Sequence, residues 1–201
     1  DVNYIMDFNK KYSNSKTIFL KKNYRSSKQI VDFMNSLAKD TGMPLLDAEI
    51  NSSGCLYLYP FESEQDEFAF ITNKILEMDV ERNEIFVLAR TNRQLNDLTK
   101  VLKAKGINYS LRTDDQRNPI INKKGEVMLA TVHAIKGMEA KIVFVIGCND
   151  TYFPSKSYEH PALSMLKTND YDKESEEKRL FYVAISRAKN DLYLSYSGKN
   201  F

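Results

Sequence analysis

Three stretches of the chain combine side chains that could bind a nucleotide or a nucleic acid. In the first, 20–27, Tyr24 stands next to Arg25. An aromatic ring can stack on a base, and a guanidinium carries five donors in a rigid fork that suits phosphate. The surrounding segment 16–39 holds six basic residues and one acid, although the whole chain carries a net charge of only +2. This pattern indicates an anion site; the alternative is a solvated basic loop with Tyr24 half buried.

The second stretch, 130–140, follows an apolar run and contains Thr131, His133 and Gly137. A glycine lets the backbone approach a ligand closely, and loops that follow buried strands often carry binding residues. The residue types therefore favour a ligand contact here. Taken alone, a histidine such as His133 is more often a structural residue than a ligand.

The third stretch, 176–189, has a charged first turn, an apolar middle and a late arginine, Arg187. This spacing predicts an amphipathic helix that delivers one guanidinium at its far end. An ordinary surface helix would show the same pattern.

Apolar runs separated by helical patterns predict the elements that position these stretches. The central runs are rich in Val and Ile and do not alternate, as is typical of parallel strands covered on both faces. The predicted strands are 17–20, 55–60, 85–89, 127–131, 142–146 and 192–196, the predicted helices are 27–38, 64–78, 92–104 and 175–188, and 112–125 and 150–173 are predicted loops. The alternation indicates an α/β fold with a parallel sheet and helices on both faces.

Helix boundaries and one acidic pair add finer expectations. The pair Ser26-Ser27 and Asn92 are predicted N-cap positions, and Gly106 is a predicted helix stop. Asp66-Glu67 is interpreted as a charge pair in the first turn of a helix.

Composition narrows the class of protein. The 201 residues are 42% hydrophobic and 28% charged, which is typical of a single globular domain. Cys55 and Cys148 lie in apolar stretches, which favours a reducing compartment, and 1–11 lack a signal-peptide pattern, so a cytoplasmic location is expected. No apolar run approaches the roughly 18 residues of a membrane span.

Several chemistries are excluded by the motifs that the sequence lacks. No pair of glycines has the spacing of a phosphate-binding Walker A loop. His133, His160 and the two cysteines lie too far apart for a zinc pattern, and no Gly-x-Ser-x-Gly elbow occurs. We therefore expect neither a bound metal nor a serine hydrolase.

The three stretches, in this order, resemble the superfamily-one DNA helicases of the UvrD, Rep and PcrA kind. The matching patterns are Leu-x-x-Asn-Tyr-Arg-Ser at 20–26, Thr-x-His-x-x-Lys-Gly-x-Glu at 131–139 and Glu-Glu-x-Arg-Leu-x-Tyr-Val-Ala-x-Ser-Arg-Ala-Lys at 176–189. The resemblance implies a RecA-like second motor domain that lacks its own P-loop and spans 1–201. It also implies that 1–16 is a linker from a missing N-terminal motor domain, and that 112–126 is a short loop where larger relatives insert an accessory domain.

The resemblance implies a set of nucleotide-binding residues. Arg25 and Arg187 correspond to arginine fingers that reach the γ-phosphate of ATP and stabilise charge during phosphoryl transfer. Tyr24 corresponds to the residue that stacks on adenine. Glu139, held close by Gly137, corresponds to the acceptor of a ribose hydroxyl.

It also implies a set of DNA-binding residues. Thr131 and His133 correspond to residues that touch the DNA strand or link it to the nucleotide site. Arg90, Thr91 and Asn92 resemble a further strand-contacting motif of the family. Backbone contacts of this kind give affinity without sequence readout.

The function implied by the resemblance is that of an ATP-dependent DNA helicase and single-stranded-DNA translocase active in DNA repair. ATP with magnesium would be bound jointly with the N-terminal RecA-like domain, so the isolated chain is expected not to hydrolyse ATP. Single-stranded DNA and that domain are the expected partners, with no membrane; the sequence leaves the oligomeric state open. One alternative is a non-catalytic nucleic-acid-binding or regulatory module that kept the fold, and another is a nuclease-fused relative.

Overall fold

A computed structural model describes residues 7–39, 44–50, 53–113, 123–153 and 173–198. Eight strands and five α-helices lie in these ranges. The strands are β1 (Lys22–Ser27), β2 (Asp47–Ile50), β3 (Leu56–Phe61), β4 (Ile85–Ala89), β5 (Tyr109–Arg112), β6 (Val127–Thr131), β7 (Ala140–Val145) and β8 (Ala188–Ser197). The helices are α1 (Phe8–Lys11), α2 (Lys28–Ala38), α3 (Glu64–Glu77), α4 (Asn92–Ala104) and α5 (Lys173–Ile185), and a 3₁₀ turn, Arg82–Glu84, precedes β4.

Six of the strands form one parallel sheet in the order β3-β8-β7-β4-β6-β5. Strands β4 and β6 are buried along their whole length. Helices α2 and α5 pack on one face of this sheet and α3 and α4 on the other, so that each face has its own apolar core. The predicted α/β class, parallel sheet and helices on both faces are confirmed. Among the described helices, none combines the length and apolar character that crossing a membrane requires.

A small parallel sheet of β1 and β2 lies beside the start of β8. Two consecutive serines attach it there: Ser26 Oγ donates to Ala188 O at 2.7 Å, and Ser27 Oγ donates to Asn190 O at 3.1 Å. Strand β1 is therefore held by side-chain bonds to β8 as well as by its backbone pairing with β2.

The predicted strand at 17–20 is wrong. These residues have no regular structure, and Ile18, Phe19 and Leu20 are 61 to 88% exposed. The strand forms instead at Lys22–Ser27, where no strand was predicted, because β2 and the serine bonds to β8 supply partners there. No strand among the described residues pairs with 17–20.

Three predicted helix ends can be compared with the structure. Gly106 adopts a φ of +67° and ends α4 as predicted. The N-cap of α4 is Thr91, one residue before the predicted Asn92, and its side chain accepts a bond from Gln94 N. Ser27 does precede α2, but its hydroxyl is committed to β8 and caps nothing.

The remaining differences concern short strands and loops. Strands β2 and β5 were missed because each has only four residues with mixed polarity. Strand β7 begins two residues earlier than predicted, and α5 ends three residues earlier. The predicted loop 112–125 starts at the last residue of β5, and most of it, like most of 150–173, lies outside the described residues. Part of the predicted linker 1–16, residues 1–6, also lies outside them.

Asp66 and Glu67 both lie in the first turn of α3, as predicted, but their environments differ. Asp66 is exposed, whereas Glu67 is only 1% exposed. The buried carboxylate accepts bonds from Gly147 N at 2.9 Å and Ser195 Oγ at 2.5 Å. Burial raises the pKa of Glu67 despite these bonds, which favour the ionised form. Glu67 thus joins α3 to the carboxyl edge of the sheet.

We expect Glu67→Gln to unfold at a higher urea concentration than the wild type at pH 8. The amide keeps the acceptor oxygen but removes a buried charge. The pKa of Glu67 is raised in the folded state. Glu67 therefore makes its full contribution to stability below its unfolded pKa of about 4.3, and this contribution is lost as the pH rises through the folded pKa. The stability gained by Glu67→Gln should therefore vanish towards pH 4. As a control, Asp66→Asn should not be more stable than the wild type at either pH. A variant less stable than the wild type at pH 8 would refute this explanation.

Candidate functional site

An open cleft of about 610 Å³ lies where β1 meets the amino ends of β7 and β8. Its lining combines three cations with a single carboxylate, so it suits an anionic ligand. The lining residues are Lys22, Asn23, Tyr24, Arg25, Ile50, Glu139, Lys189 and Asn190.

Arg25 is fixed both through its backbone and through its guanidinium. The Asn23 side-chain oxygen accepts bonds from the backbone N–H groups of Arg25 and Ser26, each at 2.9 Å. The guanidinium donates to the carboxylate of Glu139 through Nε and to Ser186 O through Nη1 at 3.3 Å. Arg25 lies in the first of the three stretches that the sequence singled out, and these bonds connect it to the second and the third.

Glu139 stands immediately before β7 and binds two cations. One of its oxygens accepts from Arg25 Nε, and Lys189 Nζ lies 2.9 Å from the other. The ammonium of Lys189 and the guanidinium of Arg25 lower the pKa of Glu139, which keeps it ionised. Gly137, with a φ of +85°, supplies the turn that brings Glu139 to the cleft.

Arg187 lies in the turn between α5 and β8, next to Arg25. It donates to Val183 O at 3.1 Å, to Met138 O at 3.2 Å and to the Ser186 hydroxyl at 2.9 Å. Burial, followed by the nearby charge of Arg25, lowers the pKa of Arg187. The two guanidinium groups are therefore near enough to repel each other, and a polyphosphate would relieve this repulsion.

Tyr24 lies at the rim of the cleft and is 68% exposed. The alternative of a loop with Tyr24 half buried is wrong, because Tyr24 belongs to β1 and its ring is largely accessible. The cleft is also lined by Ile50, and the exposed Tyr24 ring offers a flat surface on which a planar base could stack.

At the carboxyl end of β4, Arg90 forms an ion pair with Glu177 of α5. The guanidinium Nη2 lies 2.7 Å from one carboxylate oxygen and Nε lies 3.0 Å from the other. The side chains are only 20% and 6% exposed. The next residue, Thr91, caps α4. Arg90 and Thr91, predicted to contact DNA, therefore also have partners within the domain.

The ends of β4 and β6 bring the other predicted DNA-binding residues together. Thr131 is 1% exposed, and its hydroxyl accepts from Ala134 N at 3.2 Å. Asn92 Oδ1 and His133 Nδ1 are buried atoms that have no hydrogen-bond partner among the described residues. Such atoms are rare in folded proteins and call for a ligand or an ordered water.

The two predicted sets of residues occupy opposite edges of the sheet. All strands of the main sheet are parallel. Residues 90–92 and 131–133 follow strands and lie at the carboxyl edge, whereas Glu139 and Arg187 precede strands and lie at the amino edge. The segment 132–139 connects His133 to Glu139, and helix α5 connects Glu177, the partner of Arg90, to Arg187.

Sequence reasoning missed five residues of the cleft. Lys22, Asn23 and Lys189 lay inside the highlighted stretches but received no role, whereas Ile50 and Asn190 carried no signal in the sequence. Gly54 was missed as well. A Cβ atom there would lie 2.0 Å from Asn190 O and 2.8 Å from Ser27 Cβ, so only glycine fits behind this wall of the cleft.

We expect Gly54→Ala to lower the free energy of unfolding by about 2 kcal/mol, because the added methyl must displace backbone that has no free space. Urea denaturation measures this effect. Ser53, the neighbouring exposed residue, supplies the control: Ser53→Ala should change the free energy of unfolding by less than about 0.5 kcal/mol. Equal stability of the two variants would show that the contact with Asn190 is not constraining.

The sheet and its two helical layers define an α/β domain of the RecA-like type, with an anion-suited cleft at the amino edge. The profile of the UvrD-like helicase C-terminal domain matches residues 18–116 and 109–199. The chain belongs to this family.

Individual relatives agree with the family assignment. DNA helicase II of Haemophilus influenzae is 30% identical over 171 residues, which cover 83% of this chain and 21% of that protein. DNA helicase II of Rickettsia typhi is 27% identical over 190 residues, which cover 90% of this chain and 24% of that protein. The chain therefore spans a quarter or less of these relatives.

A solved structure supports the fold. The C-terminal domain of a possible DNA helicase from Lactobacillus plantarum WCFS1 superposes with a TM-score of 0.55 at 20% identity, covering 89% of each chain.

Proposed function

We propose that this chain is the C-terminal motor domain of an ATP-dependent DNA helicase that translocates along single-stranded DNA. The observation that carries the proposal is the convergence of three distant segments on one cleft. Arg25 and Glu139 are 114 residues apart in sequence yet form an ion pair, and Arg25 also bonds to the residue before Arg187.

Three residues that line the cleft, and Arg187 near them, have roles in this proposal. Tyr24 stacks on adenine, and Glu139, brought in by Gly137, accepts a bond from the ribose. Arg25 and Arg187 act as arginine fingers, which bind the γ-phosphate and stabilise the charge that develops during its transfer. The repulsion between the two guanidinium groups supports this role, since a triphosphate would neutralise both.

Magnesium does not fit the cleft. Mg²⁺ is usually held by carboxylates and phosphate oxygens, but the only carboxylate in the described lining, Glu139, is already paired with Arg25 and Lys189. The groups that hold magnesium and the Walker A loop would therefore come from an N-terminal RecA-like domain. On this proposal ATP is bound jointly, and the chain alone does not hydrolyse it.

The exposed residues Ile18, Phe19 and Leu20 support the existence of that partner domain. Three consecutive large apolar side chains, 61 to 88% exposed, are unusual on a free protein surface. In the proposal they lie against the N-terminal domain, close to β1 and hence to the cleft.

Single-stranded DNA is proposed to bind at the carboxyl edge of the sheet. Arg90, Thr91, Asn92, Thr131 and His133 form this DNA edge. The unsatisfied Asn92 Oδ1 and His133 Nδ1 support a ligand there. We further propose that the parent protein serves DNA repair in the cytoplasm.

ATP hydrolysis measured with and without single-stranded DNA tests the function. We expect the complete protein that carries this chain to hydrolyse ATP faster when DNA is added, and the isolated chain to be inactive. Activity of the isolated chain would mean that the nucleotide site lies elsewhere. Absence of turnover in the complete protein would favour a non-catalytic binding module.

A further inference from the structure

A β-bulge shapes one wall of the cleft. Ala140 of β7 pairs with Ala188 of β8, and Ile142 pairs with Asp191. One residue of β7 therefore lies between these pairs, opposite two residues of β8. Successive side chains of a regular strand point to opposite faces. The extra residue breaks this alternation, and both Lys189 and Asn190 line the cleft.

Neighbouring elements hold this bulge in place. Ser26 Oγ donates to Ala188 O, and Ser27 Oγ donates to Asn190 O. Gly54 packs directly against Asn190 O. The backbone on both sides of position 189 is thus fixed, and this limits where the Lys189 side chain can reach.

The Lys189 side chain reaches Glu139, with Nζ 2.9 Å from Oε1, while Arg25 binds the other carboxylate oxygen. A carboxylate has about four lone-pair positions and an ammonium has three donors. These two ion pairs leave acceptor positions on Glu139 and donors on Lys189 for a ligand in the cleft. A pair of adjacent hydroxyl groups, each both donor and acceptor, matches this combination.

We propose that Lys189 is a specificity-determining residue which, together with Glu139, recognises the adjacent 2′- and 3′-hydroxyl groups of a ribose. Glu139 accepts from one hydroxyl, and Lys189 donates to the oxygen of the other. The inference rests on the proposed function, because it requires that the cleft bind ATP. A nucleotide without these hydroxyls gains nothing from Lys189.

The test compares ATP with 2′,3′-dideoxy-ATP in the complete protein at saturating single-stranded DNA. We expect Lys189→Met to raise KM for ATP about tenfold, as loss of a hydrogen bond to a charged group would do. KM for 2′,3′-dideoxy-ATP and kcat for ATP should change less than twofold. Calorimetric binding of both nucleotides provides a second readout that does not depend on turnover.

Two variants serve as controls. Lys189→Arg keeps a cation with several donors and should retain most of the preference for ATP. Lys141→Met removes an exposed lysine of β7 that lies outside the cleft and should leave both KM values unchanged.

The outcomes separate the two proposals. If Lys189→Met raises KM equally for both nucleotides, or for neither, recognition of the ribose by Lys189 is overturned while the proposed function stands. If the wild-type protein neither binds nor hydrolyses ATP, the proposed function fails and this inference fails with it.

Discussion

Arg187→Ala should lower DNA-stimulated ATP hydrolysis by the complete protein about 10³-fold, the lower end of what arginine fingers contribute. The guanidinium is already held beside Arg25 by bonds to Val183 O and Met138 O, so it is positioned before the nucleotide binds. Steady-state turnover at saturating ATP and DNA measures the effect. KM for ATP should change far less than kcat, because a finger acts mainly on charge that develops in the transition state.

Folding must be separated from catalysis in this experiment, since Arg187 also bonds to its surroundings. Arg187→Lys keeps the charge but loses the planar fork, and should give an intermediate rate. Arg179→Ala removes an exposed arginine from α5, the helix that precedes Arg187, and should leave turnover unchanged. An Arg187→Ala protein that folds normally and works within tenfold of the wild-type rate would remove Arg187 from the catalytic machinery.

Glu177→Ala should cause the largest loss of stability among the charged residues discussed here. It leaves the largely buried guanidinium of Arg90 without its carboxylate, which costs on the order of 3 kcal/mol. For a chain of this size, that corresponds to a melting temperature lower by about 6 to 12 °C. Thermal unfolding followed by circular dichroism measures the difference.

An exposed ion pair provides the matched control. Lys22 and Glu49 are 2.8 Å apart, but their side chains are 60% and 36% exposed, so Glu49→Ala should cost less than about 1 kcal/mol. The double variant Arg90→Met/Glu177→Leu removes both charges and should recover most of the stability. A Glu177→Ala protein that melts within 2 °C of the wild type would show that the ion pair is not stabilising.

Local patterns were sufficient to predict the centre of the sheet. The predicted bounds of β4 and β6 agree with the structure because both strands are apolar and buried on both faces. The end of α4 at Gly106 was also predictable, since a positive φ at a helix end favours glycine. The family patterns suggested Tyr24, Arg25, Glu139 and Arg187. The structure brings the first three into one cleft, and Arg187 bonds to Met138 O, one residue before Glu139.

Features that depend on distant partners were not predictable. Strand β1 is polar, and its place is set by serines that bond to residues more than 160 positions away. The ion pair of Arg90 with Glu177 spans 87 positions, and the burial of Glu67 depends on Ser195. The place of Lys189 in the cleft lining depends on a register shift, which no period in the sequence reveals.

Photolabelling with 8-azido-ATP tests most directly the claim that this cleft binds ATP. We expect irradiation of the complete protein to label the peptide that contains Tyr24, and excess ATP to prevent this labelling. Tyr24→Ala should greatly reduce it. Labelling that occurs only outside 22–25, or that persists unchanged in Tyr24→Ala, would contradict the account, because adenine would then bind away from the cleft.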